Sequence, residues 1–176
     1  MPAYYTYLIS SLPVLSFSLR MPFSPEDFFA KCKDLVPEKE IELLRNACDQ
    51  DSNLLDVNYS DTLKEWVIFE TALRNELVRA RAGRKRADPL KFIRLPDFPD
   101  AHTSHVATVA YRSTSIIEAE KILDQERWNF LEFLSFGHYF DFDCLLIYAL
   151  KLKIMERWEK IDQADKELLF NAAVSN

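Results

Sequence analysis

A chain of 176 residues, 48% of them hydrophobic, is long enough to bury a core and too apolar to stay disordered, and its size suits one domain over residues 1–176. A net charge of −6 excludes a surface that is basic throughout. Only two glycines, Gly83 and Gly137, leave few sites for tight hairpins, which disfavours an all-β fold. The expected fold is all-α: a compact bundle of six to seven helices with one long helix and one long irregular connection.

Residues 4–18 have the apolar content of a strand or a short helix, with a turn forced at Pro13. Ser24-Pro25-Glu26-Asp27 combines an N-cap, a proline at the first helical position and an acid at the third. It predicts a helix with Phe28, Phe29, Cys32 and Leu35 inward. After Pro37, the spacing of Ile41, Leu44 and Cys48 predicts a second helix that ends near the polar cluster DQDSN. A long pattern from Asp61 to about Arg86 places Leu63, Trp66, Val67, Leu73 and Leu77 inward and spans roughly 35 Å. Gly83 lies near its end, and Ala87-Asp88-Pro89 stops it.

Residues 88–112 hold Pro96, Pro99, His102 and His105 without a helical period, and read as an irregular connection. Ser115 and Glu118 form a capping box opening a helix with Ile122, Leu123, Phe130, Leu131 and Leu134 inward, and Gly137 falls just past its end. The stretch FGHYFDFDCLLIYALKLKIMERW then gives a helix from Phe142 to about Ile161, apolar almost all round and so buried on most sides. A separate amphipathic segment with Leu168, Leu169 and Phe170 closes the chain.

The apolar run Cys144–Leu150 is far short of the roughly 20 residues a membrane span needs. The N-terminal YYTYLISSLPVLSF lacks a preceding basic residue, so no signal peptide is expected. Cys32, Cys48 and Cys144 form neither an even disulfide set nor a metal-type pair, and suit a reducing compartment.

No Gly-rich phosphate loop or nucleophile elbow is present, and His138 beside Gly137 shows no partner in the sequence, so no catalytic residue is assigned. His102 and His105, with Asp97 and Asp100 nearby, suit zinc or iron in residue type but match no strong ligand spacing. Neither metal nor cofactor is expected. RARAGRKR supplies Arg79, Arg81, Arg84, Lys85 and Arg86, with Arg74, Lys91 and Arg94 close by. Residues 60–94 hold nine basic and five acidic groups, a net of +4, so the remainder carries −10. Some of these cations complement the dipole at a helix C-terminus. The cluster suits an acidic protein partner better than nucleic acid, which most of the surface would repel. A helical nucleic-acid-binding regulator using Arg79–Arg86 is the alternative.

Three stretches, YYTYLISSLP, TALRNELVRARAGR and KILDQERWNFLEFLSFGHYFDFDCLLIYALKLKIMERW, resemble an uncharacterised bacterial family associated with V-type (V/A-type) ATPases. More distantly, the pattern resembles a shortened form of the funnel-like, C-type component of those ATPases, which seats the rotor shaft on the membrane ring. The strongest part is a Phe-Asp turn leading into a helix with Tyr148, Lys151 and Arg157. The resemblance implies an all-α, cytoplasmic, non-catalytic subunit that couples the central rotor stalk to the membrane ring in ion transport. It would be membrane-associated only through the complex. Its partners would be other ATPase subunits, met through Arg79, Arg81, Arg84, Lys85, Arg86, Tyr148, Lys151 and Arg157.

Overall fold

The computed structural model describes residues 5–49 and 56–174, the last ten of these by their backbone alone. Among the described residues seven α-helices follow one another: α1 (Thr6–Ser11), α2 (Pro25–Cys32), α3 (Glu38–Asp49), α4 (Asp61–Lys85), α5 (Ala101–Arg112), α6 (Ile116–Leu134) and α7 (Phe142–Val174). A 3-10 turn, Pro89–Lys91, stands between α4 and α5, and no strand occurs among the described residues. The protein is all-α. The chain divides into two compact units: Met1–Leu55 with Leu134–Asn176, and Asp56–Phe133.

In the first unit, α7 packs on α2 and α3. The start of α2 forms as its residues dictate: the Ser24 hydroxyl accepts from the Asp27 amide, and the Asp27 carboxylate accepts from the Ser24 amide. Phe28, Phe29 and Cys32 are buried as expected, whereas Leu35 is 48% exposed. The helix ends at Cys32 and Asp34 turns the backbone at a positive φ of 68°, so Leu35 lies beyond the helical register that would have turned it inward. On α3, Ile41, Leu44 and Cys48 are buried, and Glu40 accepts a 2.6 Å hydrogen bond from the Tyr5 hydroxyl.

Along α7, Leu145, Leu146, Ala149 and Leu152 are fully buried. This helix runs unbroken to Val174 instead of stopping near Ile161. Nothing between Phe142 and Val174 is proline or glycine, and the polar stretch after Met155 is rich in good helix formers. Glu156 accepts from Lys160 one turn on, at 2.8 Å. The rise in polarity after Met155 marks a change in surroundings and not a break in the helix. The side chains of Leu168, Leu169 and Phe170, and most of the DQDSN cluster, lie outside the described residues.

In the second unit, the Ser60 hydroxyl caps α4 by accepting from the Leu63 amide, and α4 packs against α5. The α4 helix continues through Gly83 and ends at Arg86, whose left-handed backbone (φ 52°) closes the last turn. Residues 101–112 are helical, which corrects the expectation of an irregular connection over 88–112. Asp100 supplies the cap, accepting from the Thr103 amide at 2.9 Å. The buried face of α5 is built from Thr103, Val106, Ala107 and Ala110, residues too small and mixed to spell an apolar period. At α6, Ser115 accepts from the Glu118 amide, while the Glu118 carboxylate accepts from the Ser113 hydroxyl. Phe69 of α4 stacks on Phe130 of α6 at 4.1 Å between ring centres.

Candidate docking surface

The segment between α4 and α5 is irregular over residues 92–100, yet its backbone is held by buried polar groups on α4. Asn75 is fully buried; its amide donates to the Arg94 carbonyl (2.8 Å) and to Asp97 (3.0 Å), and its oxygen accepts from the Arg94 amide (2.9 Å). Arg74 donates to the Phe92 carbonyl at 3.2 Å. Arg79 bridges Glu76 and Asp97. A side-chain amide cannot be left unpaired in a core without a cost of about 1–3 kcal/mol per group, and here the loop backbone satisfies it.

The loop's own apolar side chains face water. Leu90 is 76% exposed, Phe92 56%, Leu95 86% and Phe98 54%. The cations near them in sequence are also exposed: Arg81, Arg84, Lys85 and Arg86 at and just past the end of α4, then Lys91 and Arg94. Among the described residues none of these six makes an ion pair. Arg74 has its pKa lowered by burial and by the nearby Arg94 charge. Of the five basic residues of RARAGRKR expected to meet a partner, four are thus open to solvent, while half-buried Arg79 is taken up as the clamp on Asp97.

Tyr148, Lys151 and Arg157 belong to the other unit. The Tyr148 hydroxyl donates to the Pro13 carbonyl at 3.0 Å, its ring lies against Phe28, and burial raises its pKa. Lys151 is buried and Arg157 half-buried.

The histidines do other work. His102 pairs with Glu126 of α6 at 2.8 Å, and His105 is exposed on α5. His138 does have partners, contrary to the sequence reading: its Nδ1 lies 2.7 Å from Asp141 and 3.6 Å from Asp143. These three residues offer ligand atoms within 4.8 Å of one another, with Asp143 Oδ1 buried and unpartnered. Asp141 also caps α7 through the Cys144 amide. The spacing of a histidine and two aspartates around a Gly137 turn was the available signal. Burial pushes the thiols of Cys32 and Cys48 up to about 12 and raises that of Cys144, where Asp141 adds to the effect, so none is primed as a thiolate. A shallow cleft of about 760 Å³ between α5 and α6 is lined by Val106, Val109 and Ile122 and by charges of both signs, without a convergent set of reactive groups.

Residues 95–176, a little under half of the chain, match a family model described as "Protein of unknown function (DUF2764)". The match takes in α5, α6 and α7. No curated protein and no solved structure matches the chain. No helix among the described residues is long and apolar enough to cross a membrane.

Proposed function

We propose that this protein is a non-catalytic subunit of a V-type (V/A-type) ATPase or ATP synthase, coupling the central stalk to the membrane ring. Support comes from the segment that carries the strongest resemblance. Its Phe140-Asp141 turn leads directly into α7, with Asp141 accepting from the Cys144 amide at the helix start and Tyr148, Lys151 and Arg157 following on the same helix. An adaptor of this kind needs shape, helices and surface charge rather than reactive groups.

The test is affinity purification of the tagged chain from its own cells under native conditions, with the co-purifying proteins identified. ATPase stalk and ring subunits in near-equal amounts are the expected result. Recovery of the chain without any of them defeats the reading.

A second reading, a helical nucleic-acid-binding regulator, draws on the exposed cations Arg81, Arg84, Lys85 and Arg86. It predicts that nuclease-sensitive material co-purifies and that affinity falls steeply with salt.

A further inference from the structure

We infer that the end of α4 and the loop after it, residues 84–98, form a contact for the surface of an anionic phospholipid bilayer. The inference stands apart from the ATPase reading, because it rests only on groups within the second unit.

Four large apolar side chains, Leu90, Phe92, Leu95 and Phe98, are more than half exposed on a backbone that buried Asn75 and the Arg79–Asp97 pair hold in place. The exposure is therefore built into the fold and is not the consequence of an unanchored loop. Within the same segment stand five cations, Arg84, Lys85, Arg86, Lys91 and Arg94, against two acids, Asp88 and Asp97. Both acids are engaged by the protein: Asp88 accepts from the Leu90 amide, and Asp97 is bound by Asn75 and Arg79. Five cations against two acids leave the segment a net charge of +3 for an external anion.

The order of residues decides between anionic partners. In Leu90-Lys91-Phe92-Ile93-Arg94-Leu95, cations and apolar groups alternate almost residue by residue. A protein interface gathers apolar groups at its centre and moves charges to the rim. A nucleic acid needs the cations and rewards aromatic stacking, but gives exposed Leu90 and Leu95 nothing to bury against. At the headgroup boundary of a bilayer, neighbouring residues meet phosphates and acyl chains at once, and long basic side chains reach up to the charge while their stems stay in the apolar layer.

The measurement is co-sedimentation of the full chain with phosphatidylcholine vesicles, with and without phosphatidylglycerol. Binding is expected only with phosphatidylglycerol, and it should weaken with added salt. Lys85→Gln and Lys91→Gln should each lower it about fivefold. The pair Leu90→Ser with Leu95→Ser should lower it about tenfold or more, with an unchanged circular dichroism spectrum. A Phe92→Trp variant should shift its emission to the blue on adding the anionic vesicles. Failure to bind anionic vesicles overturns the proposal. So does binding that the charge variants weaken but the leucine variants do not, with tryptophan emission unmoved, since a purely cationic contact would then point to an acidic protein or a nucleic acid.

Discussion

The two units are stabilised in different ways. In the first, α7 packs on α2 and α3 and buries Leu145, Leu146, Ala149 and Leu152 completely, in an interior made largely of hydrocarbon although Glu40 and Lys151 are buried there too. In the second, charged and polar groups are drawn into the packing. Arg127 of α6 donates to Glu70 of α4 (2.7 Å) and to Asp124 (2.8 Å), and Asp124 and Asn75 are fully buried. Burial alone would lower the Arg127 pKa, but the attraction of Glu70 and Asp124 outweighs it and raises the pKa above its ordinary value. Hydrocarbon packing tolerates approximate shape, whereas a buried ionic cluster holds only while every member is present. The second unit should therefore be the more sensitive to loss of a single partner.

Arg127→Met is the strongest way to break this contrast. It strips the positive charge from between two carboxylates, one of them fully buried, and should cost about 3–5 kcal/mol. Chemical denaturation provides the measurement, and a loss below about 1 kcal/mol would show that the cluster does not hold the unit together. In the first unit, Leu145→Ala should cost about 2–5 kcal/mol by lost burial and a residual cavity. Replacing it with Met should recover most of that, as expected of a packing contact.

Asn75→Ala should cost about 1–3 kcal/mol, because the backbone of Arg94 loses both of its anchors. Amide hydrogen exchange should speed up over residues 92–98 well before the rest of the unit is affected. Asp100→Ala removes the α5 cap and should cost about 1 kcal/mol.

Titration of the caps gives the smallest effect. Asp27 and Asp100 have lowered pKa values, mainly because Ser24 and Thr103 respectively donate hydrogen bonds to the ionised carboxylates. Folding therefore favours the charged form, and the stabilisation is present above the usual value of 3.8 and lost as the pH falls through the lowered folded values. In Asp100→Ala, the acid limb of a stability–pH curve should be shallower than in the parent.

The contrast between units also explains what was legible from residues alone. Ser24-Pro25 announced α2, the spacing of Ile41, Leu44 and Cys48 announced α3, and the run from Asp61 announced α4, because caps and apolar periods are local. The Asn75–Arg94–Asp97 anchor was not legible, because it joins a helix to a loop about twenty residues later through polar groups that carry no period. The α5 helix was hidden for a related reason: its inward face, Thr103, Val106, Ala107 and Ala110, keeps helical spacing but has little hydrophobic contrast, and Asp100, three residues before Thr103, was the clearest signal. For the docking surface, the cations were visible in RARAGRKR. The exposure of Leu90, Phe92, Leu95 and Phe98 was not, since apolar residues in sequence read as core until a backbone is seen to turn them outward.

Arg86 carries one more implication. An arginine at a φ of 52° occupies the helix-ending conformation that glycine adopts without strain. Arg86→Gly should relieve up to about 1 kcal/mol at this helix end, while deleting a cation from the basic face. The wild-type residue is thus a local conflict between backbone comfort and surface charge, of the kind found where a protein gives up stability to keep a function. A variant that folds better and binds worse would locate that trade-off at a single residue.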